Sequence, residues 1–148
     1  MPRGARRLPE DCRRILGESS LIVHAGDFTA VQVLDDLVAI APVTAVHGNM
    51  DDAALRERLP ARAVVEGEGR RIGVVHDAGS TTGRYERLAG WFPDCDLIVY
   101  GHSHLPEVAR HGGTWIVNPG SPTERRRAPG HTLAVIRHGV PGLVNLDK

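Results

Sequence analysis

Four short apolar runs in this sequence each lead straight into a group able to bind a metal ion. Leu21-Ile22-Val23 runs into His24-Ala25-Gly26-Asp27, and Val43 to Val46 runs into His47-Gly48-Asn49. Ile72 to Val75 meets His76, and Leu97 to Tyr100 meets Gly101-His102-Ser103-His104. Carboxylate, amide oxygen and imidazole together suit borderline divalent ions such as manganese, iron, nickel or zinc. No thiolate accompanies them, which argues against structural zinc: Cys12 and Cys95 stand far apart in no metal-type spacing. His102 and His104 are two apart, so on an extended segment both project one way and Ser103 the other. Gly101 permits a tight turn just before them. Each residue also has a plainer reading. Asp27 could cap a helix, although Thr29 fills that role; Asn49 could serve only its turn; His76 could be a satisfied core histidine. The coincidence of all four at strand ends favours a site. His111, His131 and His138 have no such company and read as surface or structural.

Such a site needs parallel strands, because ligands in open α/β sheets bind beyond the carboxyl ends of the strands. The chain supplies the alternation this requires. Pro9 suits a first helical position, with Glu10 and Asp11 in the first turn and Gly17 as a stop. Thr29 and Gln32 have capping-box spacing ahead of Val31, Leu34, Leu37 and Val38. Asp51 can cap a short helix that ends at Leu59-Pro60. Ala63 to Val65 and Ile72 to Val75 read as two strands joined by a turn at Glu66–Arg70, and Thr82 to Trp91 reads as helix. After His104 the texture changes to a strand meander, with short strands at Glu107–Arg110, Thr114–Val117, Thr132–Arg137 and Leu143–Leu146 separated by Gly and Pro turns and no helix between. The expected class is therefore α/β, one domain over residues 1–148 with no internal repeat.

Composition narrows the function. The 148 residues carry 18 basic and 18 acidic side chains, a balance that gives no sign of a stable nucleic-acid partner or of attraction to anionic membrane. Arg3, Arg6 and Arg7, and the run Arg125 to Arg127, leave room for a local basic patch; the arginines near the start could orient substrate but read first as a solvated loop. There is no signal core and no apolar stretch of the ~20 residues a membrane helix needs. Two unpaired-looking cysteines suit a cytoplasmic protein. No G-x-G-x-x-G or P-loop is present, which counts against a plain nucleotide-binding domain. A homo-oligomer is compatible with the composition.

The ordered series Gly26-Asp27, Gly48-Asn49, His76 and Gly101-His102-Ser103-His104 resembles the motifs of the calcineurin-like metallophosphoesterases. Asn118-Pro119-Gly120-Ser121 makes it similar to the YfcE-type phosphodiesterase group within them. That resemblance implies a two-sheet sandwich flanked by helices and a site for two divalent metal ions, with manganese the first expectation. Asp27 would bridge both ions; Asn49, His76 and His102 would complete one; His104 would bind the other. Asp27, Asn49 and His76 would serve catalysis by positioning metal and phosphate. The implied reaction is hydrolysis of a small phosphoester, foremost a phosphodiester, by a hydroxide bridging the two ions. The substrate-binding residues are unknown.

The sequence departs from the pattern in three places. Family members close their first strand with a D-x-H motif that supplies two further ligands, and none occurs here. The first helix likewise has no preceding strand to cross over from. The expectation is a truncated record with its first strand absent, testable in the upstream reading frame as an apolar run ending in Asp-x-His. On that expectation, the 148-residue chain alone would hold the second ion weakly and expose a strand edge prone to aggregation. Met50 stands where many relatives carry a His that helps the leaving group; His24 and His47 are the nearest substitutes. The loop Asp77-Ala78-Gly79 departs from the commoner glycine-histidine form. The same fold serves as a scaffold in the retromer subunit, so the alternative is a catalytically inactive scaffold or binding protein. Metal-dependent activity separates the two.

Overall fold

The computed structural model describes residues 10–26, 31–48, 53–67, 69–103, 105–120, 132–137 and 139–146. The first part alternates as expected: α1 (Glu10–Gly17), β1 (Ile22–His24), α2 (Val31–Val38), β2 (Val43–Ala45), α3 (Ala53–Arg58), β3 (Arg62–Gly67), β4 (Arg70–Val75), α4 (Arg84–Trp91) and β5 (Leu97–Tyr100). Four strands follow: β6 (Glu107–His111), β7 (Thr114–Asn118), β8 (Thr132–Arg137) and β9 (Val140–Asn145). Among the described residues, no helix is long and apolar enough to cross a membrane.

The central sheet has the order β3-β4-β5-β7-β6, with β4, β5 and β7 mutually parallel and β3 and β6 antiparallel at the edges. β5 is buried along its whole length, as a strand covered on both faces must be. The two-residue period of its side chains divides two cores. Ile98 and Tyr100 join Val75, Leu88 and Phe92 under α4. Leu97 and Val99 join Ile72, Val74 and Val117 on the opposite face. Gly73 makes room on the α4 side, because a Cβ there would lie 2.6 Å from the Phe92 ring. Cys95 is free and buried in this half, and burial pushes its thiol pKa up. The side chain of Cys12 lies outside the described residues.

The second β layer consists of two separate pairs, β1-β2 parallel and β8-β9 antiparallel. Side-chain parity places them in one layer. Ile22 of β1 and Leu133 of β8 belong to the core that also holds Leu34, Leu37 and Leu55 from the helices, with Val135 packed against it. Val23, Ala134 and Ile136 pack instead against the core that faces the central sheet. The result is helix, strand pairs, central sheet and helix in succession, the expected sandwich. Among the described residues the second layer is not one continuous sheet.

Two expectations need correction. The C-terminal strands are not one meander: β6 and β7 extend the central sheet, while β8 and β9 belong to the other layer. β9 also begins at Val140, ahead of the expected Leu143. Pro141 is tolerated because it faces Ile136 at a pair where an antiparallel ladder needs no N–H. The proposed caps Thr29 and Asp51, the arginine clusters, His131 and His138 lie outside the described residues.

Candidate metal centre

Four strand ends converge as the parallel arrangement demands. The His76 ring, just beyond β4, places Nδ1 2.7 Å from the carbonyl oxygen of Ala25, just beyond β1. Gly48, beyond β2, is so close to Gly26 that a Cβ on Gly26 would lie 2.9 Å from its backbone. Beyond β5, Gly101 N–H donates to His76 O at 2.9 Å, and His102 Nδ1 comes within 3.2 Å of His76 Nε2. The two rings meet edge to face, 85° apart.

These contacts determine which nitrogen of His76 can act as a ligand. A carbonyl oxygen only accepts, so His76 Nδ1 carries the proton and donates to Ala25 O, which leaves Nε2 with its lone pair. That is the orienting bond expected behind a metal-binding imidazole. His76 is 4% exposed, so the ring is held in place by its surroundings. Two imidazole nitrogens bound to one ion at ~2.0–2.1 Å lie roughly 3–3.5 Å apart, and the observed 3.2 Å fits. The donor chemistry therefore suits a borderline divalent ion. Among the described residues, these imidazoles gather no third carboxylate, thiol or imidazole into a ligand group. Asp27, Asn49, Met50 and His104 lie outside the described residues; their chain neighbours Gly26, Gly48 and Ser103 are at the cluster. His24 turns back on its own loop, its Nδ1 accepting the Gly26 N–H at 3.0 Å. His47 is half-buried just beyond β2.

The segment at His102 is not extended. His102 has φ 74°, and Ser103 N–H donates to Gly101 O across it at 3.0 Å. That is a γ-turn of the strained, positive-φ kind. A side chain with a Cβ is held in this region only when its surroundings over-determine it, as happens at functional sites.

The residue that holds this turn went unassigned in the sequence. Asn118 is 0% exposed and ends β7 beside β5. Its Nδ2 donates to Ser103 Oγ at 3.2 Å and to Gly101 O at 3.5 Å, and its Oδ1 accepts from Gly120 N at 3.0 Å. A strand-ending Asn ahead of Pro-Gly was the available signal. The loop after His76 is tied down from α4: Arg87 donates to the carbonyls of Ala78, Ser80 and Thr82, and Arg84 to that of Gly79. A carboxylate brace backs both loops. Glu107 accepts from Tyr100 at 2.6 Å and from Tyr85 at 2.8 Å.

Over residues 4–138 the sequence matches the family described as the calcineurin-like phosphoesterase superfamily domain. It is 32% identical over 154 residues to a probable metallophosphoesterase of Methanothermobacter thermautotrophicus, covering 95% of this chain and 89% of that protein. Among solved structures it is similar to Vps29 of Entamoeba histolytica, with TM-score 0.74 and 22% identity over 99% of this chain and 94% of that one. That protein has also been solved in complex with zinc. A structure described as a novel archaeal phosphodiesterase gives TM-score 0.73 at 17% identity, over 92% of this chain and 90% of that one. At these identities the two structural likenesses are of fold.

Proposed function

Because the chain belongs to the calcineurin-like phosphoesterase superfamily, we propose that it is a divalent-metal-dependent phosphoesterase acting foremost on phosphodiesters. The observation that carries this reading is the 3.2 Å approach of His76 Nε2 and His102 Nδ1, with His76 oriented by Ala25 O, where four strand ends meet. In the proposal Asn49, His76 and His102 hold one ion, Asp27 is shared, and His104 reaches the second. Manganese is the first choice, with iron, nickel and zinc suited to the same donors. When bound, such ions supply an activated water and neutralise charge on the phosphoryl oxygens.

The chain's own residues do the rest by positioning. Ala25 O keeps the proton of the neutral His76 ring on Nδ1, which makes Nε2 the ligand nitrogen. Asn118 holds the turn that aims His102. Arg84 and Arg87 hold the loop after His76 against α4. The Gly79 N–H donates to Asp77 Oδ1 at 2.8 Å, which helps fix the loop after His76. With Met50 unable to donate a proton, His24 or His47 would serve the leaving group, or a good leaving group would depart unaided.

The test is hydrolysis of bis(p-nitrophenyl) phosphate over a manganese titration. The full-length protein should show manganese-dependent turnover, and Asp27→Ala should abolish it. Turnover unchanged in Asp27→Ala rejects the site assignment. No turnover at any manganese concentration, in a folded protein, favours the scaffold reading.

A further inference from the structure

β3 is an edge strand of the central sheet, and among the described residues no strand pairs with its outer side. Which of its peptide groups face outward follows from β4. Arg71 N–H donates to Asp96 Oδ2 at 2.9 Å, and Asp96 N–H donates to Arg71 O at 2.8 Å. Arg71 therefore turns both peptide groups toward β5, and its antiparallel partner Glu66 stands in a non-hydrogen-bonded pair with it. Such pairs alternate along the ladder. Arg62, Val64 and Glu66 thus direct their N–H and C=O groups out of the sheet, while Ala63 and Val65 bond to β4. The open stretch is bounded at both ends. Pro60 O accepts from His47 N–H at 3.1 Å, and the strand turns back into β4 after Gly67.

The side chains alternate in step. Ala63 and Val65 pack against the core between the two β layers. Arg62, Val64 and Glu66 project on the α4 face, and all three are exposed. Arg62 lies over the Trp91 ring, 3.9 Å from its centroid, and Val64 is 47% exposed. A free edge is ordinarily blunted by a proline, a lysine, a bulge or an inward-pointing charge. β3 carries none of these. Each of its six residues pairs in register with β4, and its two charges, opposite in sign, stand symmetrically about Val64.

That symmetry identifies the partner. Laid antiparallel against itself and centred on Val64, the strand sets Arg62 opposite Glu66 at each end and Val64 opposite Val64 in the middle. Side chains directly opposite lie about 4.5–5.5 Å apart at Cβ, within reach of an Arg–Glu ion pair at both ends. The same register brings the outward peptide groups face to face, for about six hydrogen bonds. A shift of one residue sets outward groups against inward ones, and a shift of two opposes Val64 to a charge. A two-fold interface needs a patch complementary to itself, and Arg62-Ala63-Val64-Val65-Glu66 is one. We propose that β3 is a homodimer interface, at which a second copy of this chain adds its own β3 across a two-fold axis between the two Val64 residues. The central sheets then join as β6-β7-β5-β4-β3-β3-β4-β5-β7-β6. The proposal does not depend on phosphoesterase activity.

The test is sedimentation equilibrium of the full-length protein from about 1 to 200 µM, the range in which a small interface of this kind exchanges between monomer and dimer. Amide exchange at Arg62, Val64 and Glu66 should slow together as concentration rises, while Ala63 and Val65, already bonded to β4, stay as they are. Arg62→Glu and Glu66→Arg each set like charges opposite one another at both ends of the interface. Each should weaken the dimer at least about tenfold. Mixed in equal amounts, these two variants should pair with each other, because each supplies the charges the other lacks. The double variant with both substitutions should dimerise as the parent does. Pairing in the mixture also shows that each variant is folded. A protein that stays monomeric over the whole range, a dimer insensitive to both single variants, exchange at the three amides independent of concentration, or a mixture that does not pair would each overturn the proposal. These outcomes are read without an activity assay, so they stand apart from the fate of the proposed reaction.

Discussion

At the scale of single residues, the chemistry rests on groups that are themselves held. His76 is oriented by a backbone carbonyl, and His102 sits in a strained turn whose alternatives are blocked by Asn118. Asn118 is the most exacting of these. It is fully buried, and each polar atom of its side chain has a partner in the turn or in the Pro-Gly bend. Removing the amide leaves the Gly120 N–H unmet and unties Ser103 Oγ and Gly101 O from β7, although each keeps a backbone donor. Asn118→Ala is expected to cost about 1–3 kcal/mol in urea denaturation. It should also weaken manganese binding, because the γ-turn that aims His102 loses its anchor. Isothermal titration with manganese separates the two effects; a stability loss with unaltered affinity would make Asn118 structural only.

At the scale of elements, the strand-end loops must approach more closely than side chains ordinarily allow. Gly26 has φ 104°, and a Cβ there would lie 2.7 Å from His76 Nδ1 and 2.9 Å from Gly48. Gly26→Ala therefore forces the ends of β1, β2 and β4 apart while straining its own backbone. The expected loss is about 2–4 kcal/mol, seen as a lowered melting temperature, with metal binding impaired in the fraction that folds. Much at this scale was legible beforehand. Short apolar runs and punctuation by Gly and Pro located the strands, and the donor at the end of each predicted the convergence now seen around Gly26, Gly48, His76 and Gly101. What the sequence hid was non-local. Nothing in the run of residues says that β7 pairs beside β5 while β8 leaves for the other layer, because both choices bury the same apolar faces. Pro141 and Gly142 disguised the start of β9, since a proline costs nothing at a non-hydrogen-bonded pair. His102 looked extended because only its neighbours' hydrogen bonds force the left-handed turn.

At the scale of the whole molecule, the two halves of the sandwich are secured differently. The half with β1, β2, β8 and β9 is held by apolar packing. The central-sheet half carries in addition a polar brace, in which Tyr100 of β5 and Tyr85 of α4 both donate to Glu107 of β6. Arg84 lies over the Tyr100 ring, 5.1 Å from its centroid. Burial, then the bond to Glu107, raises the Tyr100 phenol pKa well above its ordinary 10.0. For the more exposed Tyr85 the bond to Glu107 is the leading cause of an upward shift. The sign follows from proton binding. Above pH 10 the unfolded chain releases these protons before the folded one does, so the folded state binds more of them and stability falls as pH rises. The contribution is fully present below pH 10 and is lost as pH climbs toward the folded-state values. Denaturation midpoints measured from pH 8 to pH 11.5 should therefore decline at the alkaline end more steeply than ordinary tyrosines allow. Tyr100→Phe should start lower, having lost a buried hydrogen bond, and decline less. A decline equally steep in Tyr100→Phe would show that this brace does not set the alkaline limit of the fold.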